Sequence, residues 1–292
     1  MDPVAPACAA RKTVAVLENR EIARQTYRLR LDDPEMACAI RPGQFLMIRP
    51  GSGTDPLLGR PLALYDVVRD AAGTPIAVEV VYLVVGRGTA ALAARRPGDR
   101  LAVWGPLGNG FGPPPGGSVV FVAGGIGQTP FLALGRWWLG RASYGQEPPP
   151  TGPFAEAATL LYGVRTAALA AGVEDFRAAG IAVELATDDG SAGHRGFVTE
   201  LLARRLEAGQ RPAKVVGCGP PPMLAALTRL ARRHGLACDL SLENHMACGF
   251  GACFSCVAPI RQPDGSVDLR RVCVEGPIFP ASAVAFPDNE AP

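Results

Sequence analysis

The stretch SVVFVAGGIGQTPFLALGRWWLG, residues 118–140, joins a continuous apolar run to a glycine turn and a helical pattern. The run at 118–123 is rich in β-branched residues, which is typical of a strand buried on both faces of a parallel sheet. Thr129 and Pro130 suit the N-cap and the first helical position, where the missing proline N–H costs nothing. A strand, a turn and a helix in this order predict the first unit of an α/β domain.

The same alternation continues along the chain and predicts an α/β domain over residues 117–238. Three more apolar runs predict buried strands, at 158–164, 181–187 and 214–219. Residues 220–235 predict a helix that ends at Gly235, with basic residues in its last turn. The apolar positions on one face of this helix are Leu224, Leu227 and Ala231.

The chain before this domain has a different pattern. Short β segments separated by glycine and proline predict an antiparallel β-barrel or sandwich over residues 10–112. These segments lie at 13–31, 44–50, 61–68, 76–85 and 100–106. A brief helix is predicted at 90–98, between the last two of them.

Composition limits the class of protein. The chain has 292 residues, 48% of them hydrophobic, and a net charge of +2, which gives no strong attraction to nucleic acid or anionic lipid. No apolar run reaches the roughly 18 to 20 residues that span a bilayer, and the N-terminus lacks the order of a signal peptide. We therefore expect a protein of the reducing cytoplasm, where clustered cysteines indicate metal or redox chemistry rather than disulfides.

Such a cluster lies in the third part of the chain, over residues 239–292. Cys248, Cys253 and Cys256 follow the spacing C-x4-C-x2-C, and Cys273 stands alone downstream. This is the plant-type spacing of a [2Fe–2S] cluster. The small residues between the cysteines would let backbone N–H groups approach the sulfides of the cluster. A zinc site, usually two C-x2-C pairs, and buried structural cysteines are the alternatives.

Two glycine turns mark a second candidate site. Gly124, Gly125 and Gly127 follow the strand at 118–123, and Cys218 and Gly219 lie in a second glycine turn that ends the strand predicted at 214–219. A turn between a strand and a helix presents backbone N–H groups to a phosphate, and ligands of open α/β sheets bind at the carboxyl ends of the strands. A tight turn without a ligand is the alternative.

A third candidate site lies in the predicted barrel. Arg60 is followed at once by a proline that leads into a strand, which can hold the guanidinium against a phosphate. The segment GRGT at 86–89 adds a glycine-lined approach with a hydroxyl. From the residues alone, Arg60 could equally be a solvated charge at the edge of the barrel.

The order of these parts resembles the ferredoxin–NADP reductase superfamily. Within it, the chain resembles the electron-transfer (iron–sulfur/FAD) subunits of NAD-dependent, type B dihydroorotate dehydrogenases. The most specific matching stretches are GPLGNGF at 105–111, ENHMACGFGACFSCV at 243–257 and VCVEGPIF at 272–279. The implied fold is an N-terminal FAD-binding β-barrel, an α/β NAD-binding domain with a parallel sheet and a small C-terminal [2Fe–2S] module.

The resemblance also implies which residues meet the cofactors. Those that would contact FAD are Arg60, Pro61, Leu62, Ala63, Val81, Tyr82, Leu83, Gly88 and Thr89. Those that would meet NAD(H) are Gly124, Gly125, Gly127, Cys218 and Gly219, and the cluster ligands would be Cys248, Cys253, Cys256 and Cys273. Ala63 stands where the family usually has serine, so one hydroxyl contact to FAD is missing, and Leu83 stands where it often has arginine, which puts one phosphate contact in doubt.

The implied activity is electron transfer in pyrimidine biosynthesis. Electrons would pass from dihydroorotate through FMN in a separate catalytic subunit to the [2Fe–2S] cluster, FAD and NAD+, in a complex with two of each subunit. No residue of this chain would act as a catalytic acid or base. Met246, Phe250 and Phe254 are expected at the partner surface or packed internally.

Three questions stay open at the level of sequence. A reductase subunit that serves an oxygenase, a hydrogenase or a sulfur- or ferredoxin-linked oxidoreductase would need the same cofactors. A binding or sensor protein with structural zinc would need none of them. Arg165 and Thr166 follow the second α/β strand, where they could hold the 2′-phosphate of NADP, although the resemblance favours NAD.

Overall fold

The N-terminal part of the chain is a closed six-stranded antiparallel barrel. The computed structural model describes residues 11–51, 53, 55–114, 116–145 and 152–286. The strands are β1 Lys12–Ala23, β2 Thr26–Asp32, β3 Phe45–Arg49, β4 Arg60–Arg69, β5 Pro75–Leu83 and β6 Arg100–Leu107, in the order β1-β2-β5-β4-β3-β6. Alternate residues of each strand fill the barrel interior, and closure leaves no free sheet edge. The predicted β-barrel is therefore confirmed.

The predicted strand at 13–31 is two strands. β1 and β2 form an antiparallel hairpin that reverses at residues 24 and 25. No glycine or proline marks the turn; instead Gln25 adopts a positive φ of 57°, and its N–H donates to the carboxylate of Glu21 over 2.7 Å. Glutamine is uncommon in this conformation, so no usual turn residue marks this reversal of the chain.

Two short helices connect barrel strands. α1, Pro34–Ala39, was not predicted, although Asp33 caps it by accepting a hydrogen bond from the N–H of Met36 over 3.0 Å. α2, Arg87–Ala93, corresponds to the helix predicted at 90–98 and begins three residues earlier. Gly86 and Thr89 supply the hydrogen bonds at its start.

The second part of the chain is built on a seven-stranded sheet. The strands in chain order are β7 Ser118–Gly124, β8 Ala157–Val164, β9 Ala182–Thr187, β10 His194–Arg195, β11 Lys214–Cys218 and β12 Cys238–Ser241, then β13 Val257–Arg261, β14 Val267–Arg271 and β15 Ile278–Pro280. The sheet order is β10-β9-β8-β7-β11-β12-β15, with β15 antiparallel to β12 and the other pairs parallel. β13 and β14 form a separate hairpin. The predicted α/β domain is confirmed.

The helices beside this sheet are α3 Phe131–Trp138, α4 Val173–Ala178, α5 Val198–Glu207 and α6 Pro221–Arg233. α6 was predicted with its buried face, and Gly235 follows it with a φ of +58°. α4 and α5 were not predicted. Thr129 is not the N-cap of α3: residues 125–128 form a 3-10 turn, Thr129 is already helical, and α3 follows Pro130 without a side-chain cap.

The C-terminal segment is not detached from the sheet. β12 crosses the predicted boundary between 238 and 239, and β15 returns from the C-terminal segment to pair with β12. The divisions 10–112, 117–238 and 239–292 thus remain predictions about domains. The stretch EPPP at 147–150 predicts a surface loop, but these residues, like Cys8, lie outside the described residues. In the described part of the chain, no helix is long and apolar enough to span a membrane.

Candidate functional site

The four predicted cysteine ligands come together beyond the end of β12. Cys248 and Cys253 lie in the loop that follows β12, Cys256 precedes β13, and Cys273 follows β14. The thiol of Cys253 interacts with that of Cys248, and the thiol of Cys273 with that of Cys256. Cys273 also lies within electrostatic range of Cys248. The sulfurs therefore form two neighbouring pairs.

The two pairs differ in environment. Cys256 and Cys273 are both 2% exposed, whereas Cys253 is exposed to solvent. Burial and the adjacent Cys256 raise the pKa of Cys273 to about 12. The hydroxyl of Ser255, 3.1 Å from the sulfur of Cys253, and the Ser255 backbone lower the pKa of Cys253 to about 6. The candidate site thus has a buried half and a half at the surface.

This arrangement bears on which metal group the thiols can hold. Across the residues that the structure describes, no three His, Cys, Asp or Glu side chains lie close enough together to hold a single metal ion. A structural zinc ion requires four ligands around one point. A [2Fe–2S] cluster divides its four ligands between two irons. The two pairs of thiols match this division of ligands.

Glycines in the loop let the backbone pass close to the site. Gly249 and Gly251 have φ values of +82° and +90°. A Cβ on Gly249 would lie 2.5 Å from the side chain of Met47, and one on Gly251 would lie 2.7 Å from Val274. Both the backbone conformation and the lack of space thus require glycine, which explains the small residues of this loop.

Arg271, at the end of the hairpin β13–β14, binds the same loop. Its guanidinium donates to the carbonyl of Gly251 over 3.3 Å and to the carboxylate of Glu275 over 2.8 Å. It also lies over the ring of Phe254, 5.0 Å from the ring centre. Sequence reasoning missed this residue, because its contact with Gly251 spans 20 residues.

The barrel holds the cysteine segments directly. The indole N–H of Trp104, in β6, donates to the carbonyl oxygen of Cys248 over 2.8 Å. The Asn109 amide N–H donates to the carbonyls of Glu275 and Ile278 over 3.1 and 2.9 Å. The Asn109 amide oxygen accepts from the N–H of Ile278 over 2.9 Å. The two sequence motifs GPLGNGF and VCVEGPIF are thus hydrogen-bonded partners.

The residues of the barrel that are predicted to bind phosphate also lie close together. The guanidinium of Arg60 lies so close to Gly88 that a Cβ there would be 2.6 Å from its central carbon. Arg60 donates to the carbonyl of Leu58 over 2.9 Å and keeps further N–H groups. The hydroxyl of Thr89 accepts from the N–H groups of Val85 and Gly86. Its side chain therefore organises the turn and leaves Arg60 as the charged group beside it.

The predicted flavin-lining residues of β5 do not share one face. Tyr82 is 1% exposed, stacks on Tyr27 inside the barrel and donates its hydroxyl to Asn19 over 3.0 Å. Val81 is buried in another cluster, which joins the barrel to the α/β domain, and Leu83 is half-buried. Tyr82 could meet a ligand outside the barrel only through its backbone. On β4, Pro61, Leu62 and Ala63 remain half-buried.

The two glycine turns of the α/β domain touch, because β7 and β11 are parallel neighbours. A Cβ on Gly127 would lie 2.3 Å from the carbonyl oxygen of Cys218. A Cβ on Gly219 would lie 2.9 Å from the nitrogen of Gly124. Gly125, with a φ of +57°, has no such neighbour and faces open space. The predicted placement at one sheet edge is confirmed.

Two polar residues at this edge were missed from the sequence. Glu243 lies in the segment after β12, with its carboxyl 3.9 Å from the sulfur of Cys218, and desolvation raises the pKa of that carboxyl. Gln128 is fully buried, and neither polar atom of its amide has a hydrogen-bond partner among the described residues. An unsatisfied buried amide is costly, so a bound polar group at the turn would suit this environment.

Comparison with known proteins places this geometry in a family. The iron-sulfur cluster binding domain of dihydroorotate dehydrogenase B matches residues 243–285. The chain is 37% identical to the dihydroorotate dehydrogenase B (NAD(+)) electron transfer subunit of Geobacillus thermodenitrificans, over 94% of this chain and 99% of that protein. The chain belongs to this family of electron transfer subunits. The subunit from Desulforamulus reducens is 34% identical over 91% of this chain and 94% of its own.

Solved structures agree with membership of this electron transfer subunit family. The NADH-dependent reduced ferredoxin-NADP oxidoreductase structure matches with a TM-score of 0.76 and 25% identity, over 93% of this chain and 89% of that chain. An Amycolatopsis cytochrome P450 reductase matches with a TM-score of 0.60 and 27% identity, over 77% and 67%. The barrel and the parallel sheet are therefore those of ferredoxin–NADP reductases.

Proposed function

We propose that this chain passes electrons between an FMN-containing, dihydroorotate-oxidising catalytic subunit and NAD, in a complex with two copies of each subunit. One observation carries the proposal. The four cysteine thiols lie in two pairs, and hydrogen bonds from Trp104 and Asn109 attach the segments that contain them to a reductase barrel. The family names support the same assignment. The described cysteines are all free, which suits the reducing cytoplasm.

Cys248, Cys253, Cys256 and Cys273 would hold a [2Fe–2S] cluster. The loop residues keep these thiols in place: Gly249 fits against Met47, and Arg271 holds the carbonyl of Gly251. Backbone and hydroxyl donors near the sulfurs, such as Ser255, would stabilise thiolate charge. The surface position of Cys253 would bring one edge of the cluster close to a partner protein.

Arg60, Gly88 and Thr89 would bind the phosphates of FAD, which lies against the barrel. FAD would supply the link between hydride exchange with a nicotinamide and single-electron exchange with a cluster. Arg60 is the cation of this site, and Gly88 keeps the space that its guanidinium occupies. Ala63 and Leu83 lack the polar groups of their usual counterparts, so Arg60 carries a larger share of FAD binding.

The turns 124–127 and 218–219 would bind NAD(H) at the sheet edge. Their glycines leave backbone groups open to a pyrophosphate. Cys218 is buried, with its sulfur directed toward Glu243. The two side chains would therefore form one wall of the nicotinamide pocket without taking up a substrate proton.

The partner subunit would contact the exposed aromatic residues of the cysteine loop. Phe250 is 50% and Phe254 59% exposed. Met246 is only 8% exposed and belongs to the core, so it packs internally. Val267 and Leu269 on β14 are also exposed apolar residues. A surface of this kind marks a protein contact site.

An anaerobic titration with NADH tests the proposal. The reconstituted chain should lose both its flavin and its iron–sulfur absorbance, and adding the catalytic subunit with dihydroorotate and NAD+ should yield NADH. Cys273→Ser should retain bound flavin that NADH reduces, yet lose transfer from the partner. Cys38→Ser, an exposed cysteine elsewhere, is the matched control. Full transfer by Cys273→Ser would contradict the proposed route.

The similarity to the NADH-dependent ferredoxin-NADP oxidoreductase favours one second candidate, a reductase subunit for another redox partner. The cofactors would be the same. The chain would then be reduced by NADH but would exchange no electrons with the dihydroorotate-oxidising subunit. The same titration, with a ferredoxin in place of that subunit, distinguishes the two functions.

A further inference from the structure

A cleft of about 490 Å³ lies between the barrel and the α/β domain. Its barrel wall comes from β2, β4 and β5, and its other wall from α3, α4 and the residue Arg141. The residues assigned above to FAD, NAD and the cluster are not part of its lining. It is therefore separate from the electron-transfer site.

The cleft carries excess positive charge. Five arginines and three carboxylates line it. The three ion pairs are Arg28 with Asp175, Arg30 with Glu79, and Arg136 with Asp66. Among the described residues, Arg69 and Arg141 have no carboxylate partner, so two positive charges remain.

The carboxylates have little capacity left to neutralise these charges. Asp66 also accepts a hydrogen bond from the hydroxyl of Tyr144 over 2.6 Å, and Asp175 from that of Tyr65 over 2.7 Å. The Nε of Arg28 is buried without a hydrogen-bond partner among the described residues. The lining thus offers unused donors as well as unbalanced charge.

The two unpaired arginines come from different domains. Arg69 ends β4 of the barrel, where its guanidinium donates to the carbonyl of Ser143 and lies 5.8 Å from the ring centre of Tyr144. Arg141 follows α3 of the α/β domain and is exposed. An anion between them would bridge the two domains.

We propose that this cleft binds a phosphate-bearing anion, which Arg69 and Arg141 hold from opposite sides. A phosphate dianion balances two guanidinium groups and accepts paired hydrogen bonds from them. The volume leaves room for a small organic group beside the phosphate. Because the anion would join the barrel to the α/β domain, binding would stabilise the domain arrangement on which the flavin and nicotinamide sites depend.

The test is the melting temperature of the holoprotein at fixed ionic strength, with chloride replaced stepwise by inorganic phosphate or by ribose 5-phosphate. At least one of the two should raise the melting temperature with saturation. If the melting temperature saturates only with ribose 5-phosphate, or at a lower concentration of it than of phosphate, the ligand is a phosphate monoester. If it saturates only with phosphate, or at a lower concentration of phosphate, the ligand is the inorganic ion. Both results support the proposal. If neither compound raises the melting temperature above its value in chloride, the proposal is overturned.

Variants locate the effect in the cleft. Arg141→Gln should weaken the apparent affinity at least fivefold, and because Arg141 is exposed the variant should fold. Arg233→Gln, which removes an equally exposed arginine at the end of α6, should bind as the wild type does. Unchanged affinity in Arg141→Gln, or an equal loss in Arg233→Gln, would refute the assignment.

Discussion

The indole N–H of Trp104 in the barrel donates to the carbonyl oxygen of Cys248 in the cysteine loop over 2.8 Å. Trp104→Phe removes this donor and keeps most of the ring. The variant should lose roughly 1 kcal/mol of stability, because a partly buried carbonyl loses its partner. It should also release iron to a chelator faster than the wild type, as followed by visible absorbance. Trp137→Phe on α3 is the control, and equal release rates in the two variants would contradict this role for Trp104.

Gly249 offers a test of how closely the loop fits the barrel. Gly249→Ala brings a Cβ to 2.5 Å from Met47, at a φ of +82°. Gly265→Ala has nearly the same φ, +85°, but no atom within 4 Å. Gly265→Ala should cost about 1–2 kcal/mol in unfolding free energy, and Gly249→Ala a further 1–3 kcal/mol from overpacking, as measured by urea unfolding.

The same comparison applies to the cluster itself. Iron content should fall in Gly249→Ala and stay at the wild-type level in Gly265→Ala. Equal iron content in both variants would show that the loop tolerates a side chain at 249.

Gly88 tests the barrel phosphate site. A Cβ at Gly88 would displace the guanidinium of Arg60, whereas a Cβ at Gly86 would meet no atom within 4 Å, and Gly86 has an extended φ of −178°. Because an arginine side chain can move, Gly88→Ala should fold but retain less flavin after gel filtration. Gly86→Ala should retain the wild-type amount. A fully flavinated Gly88→Ala protein would remove Arg60 from the site.

The strands and the cysteine spacing were predictable because their signals are local. The apolar run at 118–123 and the glycines after it specify a buried strand and its turn whatever surrounds them. The C-x4-C-x2-C spacing likewise places three thiols in one loop. The convergence of the turns at Gly127 and Cys218 followed from the rule that parallel strands end at one edge.

The remaining contacts depend on tertiary structure. Trp104 and Cys248 are 144 residues apart, and Asn109 and Ile278 are 169 residues apart. No local pattern encodes such a pair. The hairpin at Gln25 was missed because a glutamine occupies the positive-φ position. The orientation of Tyr82 depends on which face of β5 turns inward.

Glu243 gives a pH-dependent prediction. Desolvation raises the pKa of its carboxyl in the folded protein, so the folded state holds this proton at a pH where the unfolded state, with a pKa near 4.3, has lost it. The contribution of Glu243 to the free energy of unfolding therefore falls as the pH rises from about 4.3 through the pKa of the folded state. Glu243→Gln should be more stable than the wild type above that range and equal to it in acid. Parallel urea-unfolding profiles over pH would contradict the raised pKa.

Iron and sulfide analysis of the anaerobically purified protein, combined with electron paramagnetic resonance after reduction by NADH, tests the central claim most directly. The account predicts two irons and two sulfides per chain, with a reduced-cluster signal that disappears in Cys256→Ser and persists in Cys38→Ser. Zinc in place of iron, or an unchanged signal in Cys256→Ser, would contradict it.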